Sequence, residues 1–344
     1  MNASGARNGW RRLLPGLLIG GLVVLLLAVA VDWRKLVDAW KNAQLWVMLP
    51  AVALTVAAMF TRTLAWRCLM GKAVPTARCF WTLNISYMIN GIGFRIGDVA
   101  RAFLISRNRD GSPVQVTAGA ALSAVALERM FDLAFTCVLM LTIFPMIAGI
   151  AWSSRALWTA LAMAAVFFFA LFLLGAARGW ILRTASVAAE KWPRIRPLLD
   201  PLDHFLNGLA QVRNLRRSLP AFFWIIITML IWAAEYWVVL RGFFPGASVY
   251  WGLLSLAGGL ISVALPATPS SLGVFEGSVT VVLTMGGLAR DTALAYAIAI
   301  HLLNIVLLSI LGALGLMVEG RTLGSILADA RPPGNLSTEP PCAS

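Results

Sequence analysis

Asn90-Gly-Ile-Gly93-Phe-Arg95-Ile-Gly97-Asp98 and Pro266-Ala-Thr-Pro269-Ser-Ser-Leu-Gly273-Val-Phe-Glu276 interrupt two hydrophobic stretches at one common offset. Pro266 lies 176 positions after Asn90, Gly273 lies 176 after Gly97, and the glycines that close the segments, Gly111 and Gly287, keep the spacing. Gly- and Pro-broken segments in matching places of two halves point to a transport site at a repeat interface of a membrane protein. The bends are assigned to Asn90, Gly93 and Gly97 in the first segment and to Pro266, Pro269 and Gly273 in the second.

The rest of the chain supplies the membrane part. Of 344 residues, 60% are apolar and 12% charged, with a mean hydropathy of +0.81. Apolar stretches recur at 13–31, 45–66, 117–143, 156–176, 219–240 and 292–318. Each is about as long as the ~20 residues a helix needs to cross the hydrocarbon core. The net charge of +13 follows from basic loops, the pattern of cytoplasmic connections. It offers no soluble basic face for nucleic acid. Cys68, Cys79, Cys137 and Cys342 have no metal-ligand spacing, and His204 and His301 stand alone, so no metal or other cofactor is expected.

Loop charges set a topology. Arg7, Arg11 and Arg12 put the N-terminus in the cytoplasm, and the first apolar run reads as a retained anchor despite the cleavage-like Ala28-Val29-Ala30. Arg67, Lys72 and Arg78 precede the first broken segment, and Arg95, Arg101, Arg107 and Arg109 accompany or follow it. With both basic clusters inside, 79–106 enters and leaves on one side as a re-entrant hairpin. The basic stretch 178–218 is a cytoplasmic linker, lying partly on the leaflet as an amphipathic helix until Pro193, Pro197 and Pro201 break it. Arg321 and Arg331 keep the C-terminus inside only if the second broken segment is re-entrant from the opposite face. The expected fold is an all-α polytopic membrane protein with about six full spans and two re-entrant hairpins, arranged as an inverted repeat. One transmembrane domain covers 1–318, and a disordered Pro- and Ser-rich tail covers 319–344.

Charges at membrane depth need a reason. Glu128, Arg129 and Asp132 lie in one apolar stretch, with Glu128 and Asp132 on one helix face and Arg129 able to pair with Asp132. They serve either as a self-neutralising helix lock or as a headgroup or proton site. Arg95, Asp98 and Arg101 flank the first break. Two guanidiniums beside one carboxylate suit a phosphate; interfacial snorkelling is the plainer alternative. Glu276 caps the helix that starts after Gly273, pairs with a distant Arg62, Arg95 or Arg129, or is protonated. Arg62, Glu235, His301 and Asn304 read as interhelical contacts.

Three stretches, Asn90-x-x-x-x-Arg95-x-Gly97-Asp98-x-x-Arg101, Glu128-Arg129-x-x-Asp132 and Pro266-x-x-Pro269-x-x-x-Gly273-x-x-Glu276, resemble the flippase-like transmembrane family represented by the membrane region of lysylphosphatidylglycerol synthase. The sequence departs from that pattern in having Gly93 where the family commonly has Pro, and Ser270 and Ser271 where it commonly has Gly. No soluble aminoacyl-transferring domain follows Val318 in this sequence. The resemblance therefore implies lipid translocation rather than lipid aminoacylation, with stand-alone members associated with isoprenoid or hopanoid lipid pathways.

The expected function is movement of a lipid or lipid-linked headgroup, anionic or isoprenoid-type, between leaflets of the cytoplasmic membrane. Arg95 and Arg101 would hold the headgroup, while Asp98, Glu128, Arg129, Asp132 and Glu276 gate or carry protons. No P-loop is present, so the chain is not expected to be an ATP-driven enzyme. Two alternatives stay open at this level: a membrane enzyme using Asp98 or Glu276 as a base, and a non-catalytic partner of a lipid-pathway enzyme.

Overall fold

The computed structural model describes residues 33–71, 74–92, 96–107, 116–147, 173–192, 214–264 and 269–321, with isolated positions between 158 and 206. The apolar stretch 13–31, most of 156–176, most of the linker after Trp192, the tail beyond Arg321, and Gly93, Arg95 and Pro266 lie outside the described residues.

All regular structure among the described residues is helical. A short helix α1 (Trp33–Asn42) leads through one 3-10 turn into α2 (Met48–Leu69). Then follow α3 (Thr76–Ile92), α4 (Ile96–Ser106) and α5 (Ala118–Ile147), the linker helix α6 (Arg178–Lys191), and α7 (Leu215–Phe243). The chain closes with α8 (Val249–Ala264), a 3-10 turn at Pro269–Ser271, α9 (Val274–Met285) and α10 (Arg290–Glu319). The first sequence break falls between α3 and α4 and the second between α8 and α9. The order long helix, half-helix, half-helix, long helix thus occurs twice, as α2–α5 and as α7–α10.

Among the described residues, three segments are long and apolar enough to cross a membrane: Leu45–Leu69, Leu215–Phe243 and Arg290–Glu319. Helix α5, 30 residues long, has the length as well but carries Glu128, Arg129 and Asp132. Helices α8 and α9 are apolar and shorter. On α10 the residues Leu302, Val306, Ile310, Leu314 and Met317 recur at helical spacing and are all exposed. An outward apolar stripe of that length has no place in water and faces lipid. The chain is a multi-pass membrane protein.

The halves are joined by their first helices. Along α2, Ala51, Thr55, Ala58, Arg62 and Ala65 are fully buried, a stripe of mostly small side chains that lets α7 approach closely. The hydroxyls of Thr61 and Thr228 meet at 2.8 Å across this pair. A second close crossing joins α3 to α10. A Cβ at Gly312 would stand 2.4 Å from Met88 Cβ, and one at Gly315 would stand 2.9 Å from Ile85 Cγ1. The counterpart crossing, α5 against α8, is much looser. The repeated order of elements is therefore packed asymmetrically, tight on one side and open on the other.

Helix α6 ends at Lys191, before Pro193, and exposes Trp180 and Val187. The linker is nonetheless anchored: Arg178 pairs with Asp203 at 2.8 Å, and Leu206 is buried against Met130 on α5.

Candidate functional site

The first break builds an ion lattice. Glu128 on α5 is fully buried and accepts from Arg62 Nε at 2.8 Å and from Arg101 Nη1 at 3.2 Å. Arg62, from α2, also donates Nη1 to Asp132 Oδ1 at 2.7 Å and Nη2 to Asp132 Oδ2. Asp98, at the start of α4, receives Arg129 Nη2 at 2.8 Å and Nε at 3.1 Å, and Asn90 Nδ2 at 3.3 Å. Arg129 Nη1 closes the circuit onto Asp132 at 3.3 Å. Three guanidiniums and three carboxylates thus join α2, α4 and α5. Arg62 lies over Trp232 and Arg101 over Trp66, with ring centroids 5.5 and 4.9 Å away. Equal numbers of opposite charges, each hydrogen-bonded, are what membrane burial demands.

Gly97 makes the lattice possible. A Cβ there would stand 2.1 Å from Ser86 O and 2.8 Å from Asn90 Oδ1, so only glycine lets α4 fold back on α3 and bring Asp98 to Asn90.

The second break has different chemistry. Gly273 takes φ 80° at the entry to α9 and donates its N–H to Glu276 Oε2 at 2.7 Å, the self-capping geometry of a first-turn acid. Glu276 Oε1 bonds His301 Nδ1 on α10 at 2.7 Å, and the imidazole stacks on Phe275 with centroids 4.2 Å apart. One turn along α10, Asn304 Nδ2 donates to Glu235 Oε1 at 3.0 Å.

The two breaks touch. Ser270 Oγ donates to Gly91 O at 2.7 Å. Ser270 and Ser271 both adopt left-handed φ, 52° and 53°. Glycine takes such a conformation freely, whereas an L-residue pays about 1–2 kcal/mol for it. This explains what the two serines change: they leave the bend in place, and Ser270 returns a hydrogen bond that glycine lacks.

Between the two clusters lies a cavity of about 450 Å³, within the ~300–1,000 Å³ range of small-molecule sites. Tyr87, Arg129, Asp132, His301 and Asn304 contribute its polar wall. Leu133, Trp232, Leu256, Leu260 and Leu308 contribute its apolar wall. It occupies the loose side of the repeat, between α5 and α8. Tyr87 Oη is buried with no hydrogen-bond partner among the described residues. The described residues hold no group of three or more His, Cys, Asp or Glu side chains able to bind a metal.

Of the residues singled out in the sequence, Asp98, Arg101, Glu128, Arg129 and Asp132 come together, and Glu276 stands apart on the other side of the cavity. Arg95 lies outside the described residues. Arg101 is completely buried and directed to Glu128. Glu276 meets His301 rather than Arg62 or Arg129, because both guanidiniums are already shared among Asp98, Glu128 and Asp132. Arg62, read as an interhelical contact, is the hub of the lattice. Its signal was a charge in the middle of an otherwise apolar helix, and its partners lie 66 and 70 residues away.

Residues 13–312 match the family model described as the lysylphosphatidylglycerol synthase TM region. The chain belongs to that family. No curated protein and no solved structure matches it significantly. Membership of the lysylphosphatidylglycerol synthase transmembrane-region family makes this a membrane protein related to lipid modification or translocation. All three motifs that carried the resemblance fall within the matched residues.

Proposed function

We propose that the chain translocates a phosphate-bearing lipid, anionic or isoprenoid-linked, between leaflets of the cytoplasmic membrane, through the cavity between α5 and α8. The observation that carries this reading is the cavity's division into a polar wall, with Arg129 and Tyr87, and an apolar wall, with Leu256 and Leu260. A lipid needs both, one for the headgroup and one for the chains. The contact between the two breaks supports two re-entrant hairpins meeting within the bilayer, where irregular backbone is tolerated only when packed in protein or beside a wet cavity. On this topology there are six full spans and both termini are cytoplasmic.

The charge lattice serves as the frame of the site, holding α2, α4 and α5 while leaving Arg129, 28% exposed, as its open edge. The headgroup therefore meets Arg129 and Tyr87, with Arg101 acting behind them. The chain acts as a transporter and not as an enzyme; an enzyme of the lipid's own pathway is the expected neighbour.

Leaflet exchange in proteoliposomes tests this reading. Headgroup-labelled anionic phospholipid and isoprenoid-phosphate lipid are compared with a zwitterionic lipid, with and without protein. Protein-dependent exchange of one phosphate-bearing class is the expected result. Equal, protein-independent rates for all three, with correctly inserted protein, would contradict it.

A further inference from the structure

We infer that His301 and Glu276 form a proton-binding site on the cavity wall, whose occupancy sets the charge that an entering phosphate headgroup meets. The pair is not part of the ion lattice. Glu276 Oε2 is held by the N–H of Gly273 and Oε1 by His301 Nδ1, so a carboxylate at Glu276 fixes the imidazole proton on Nδ1. Nε2 is then the basic atom of a ring that lines the cavity. A proton arriving there adds to Nε2 while the Nδ1–H bond to Glu276 is kept. The pair passes from a net charge of −1 to 0, and no other bond changes.

The surroundings make that single charge matter. Across the cavity, α5 presents Arg129 and Asp132, whose charges are neutralised within the lattice. Helix α3 presents Tyr87, and α7 presents Tyr236, with Glu235 behind Asn304. The cavity residues of α8, Leu256, Gly259 and Leu260, carry no titratable group. With the lattice self-balanced, the His301–Glu276 pair can change the charge of the cavity wall directly, because His301 lines the cavity whereas Glu235 reaches it only through Asn304. An anionic headgroup is repelled by the unprotonated pair and admitted when the pair takes a proton, which makes lipid and proton travel together. This coupling rests on the translocation reading; the proton site itself does not.

The chain holds only two histidines, His204 and His301, so the full-length His204→Gln protein reports on His301 alone. Isotope-labelled histidine is followed by NMR as the pH is lowered. The expected result is an Nδ1–H tautomer at alkaline pH that becomes doubly protonated on acidification. In Glu276→Gln, which keeps the helix cap because Gln also serves at that position, the doubly protonated fraction should fall severalfold relative to the parent at the same acidic pH, because the carboxylate that favours the charged ring is gone. A ring that stays singly protonated, or one indifferent to Glu276→Gln, overturns the site. As a second measurement on unaltered protein, a pH gradient across proteoliposomes should move labelled phosphate lipid towards the alkaline side and reverse with the gradient. Exchange blind to the gradient would refute the coupling. Absence of all exchange would strike the translocation reading, while the site would still be decided by the ring.

Discussion

Two of the crossings between the halves, α3 on α10 and α5 on α8, hold equivalent positions in the repeated order of helices and are built differently. The first is closed by Gly312 and Gly315 against Met88 and Ile85. The second leaves a cavity lined by Arg129 and Asp132 on one helix and Leu256 and Leu260 on the other. The two breaks differ in the same way: the first is locked by ionic bonds, the second rests on a helix cap and one imidazole. The repeat therefore supplies a common backbone plan, and local side chains decide which side is sealed and which holds a cavity. A protein that moves a lipid needs such a difference, because a chain open on both sides would leak and a chain closed on both would hold nothing.

The largest expected effect comes from unlocking the first break electrostatically. Glu128→Ala leaves Arg62 and Arg101 buried without their shared acid and should cost about 3–5 kcal/mol. Loss of monodisperse protein, or a large fall in thermal midpoint, is the readout. Asp98→Asn keeps the shape and removes one charge at a partly exposed position, so it should fold and melt earlier by a smaller margin. Next, Gly312→Leu forces α3 from α10 and should cost about 1–3 kcal/mol by overpacking. A similar increase in bulk on the loose side, Thr136→Trp facing the cavity, should leave the melting midpoint nearly unchanged. Equal losses from the two substitutions would erase the asymmetry.

The smallest effects test the meeting of the breaks. Ser271→Gly relieves a left-handed φ and should stabilise by about 1 kcal/mol. Ser270→Gly relieves the same strain but gives up the bond to Gly91 O, worth about 0.5–1.5 kcal/mol, so its net change should be near zero. Thermal melts of the two single variants side by side separate these cases.

Much of this plan was legible in the sequence, for physical reasons. Apolar length fixed the long helices, since a membrane span demands about 20 apolar residues. The breaks were legible because Gly and Pro carry their backbone consequences locally. Asp98–Arg101 and Arg129–Asp132 were legible because they lie one helical turn apart. Arg62 with Glu128 and Glu276 with His301 were not, since their partners are set by how helices pack and no local spacing encodes it. The packing asymmetry was equally hidden: it depends on whether Gly312 meets Met88, and the 176-residue offset is blind to that. The cap at Glu276 was foreseen as one of three alternatives, and the second bond to His301 adds to it.

The central claim is that the cavity between α5 and α8 is the lipid path. Leaflet exchange of a phosphate-bearing lipid by wild-type protein and by Thr136→Trp, at matched insertion and matched melting midpoint, tests it most directly. Exchange by the wild type and its loss in the filled cavity is the predicted result. Equal exchange by both proteins would contradict the account.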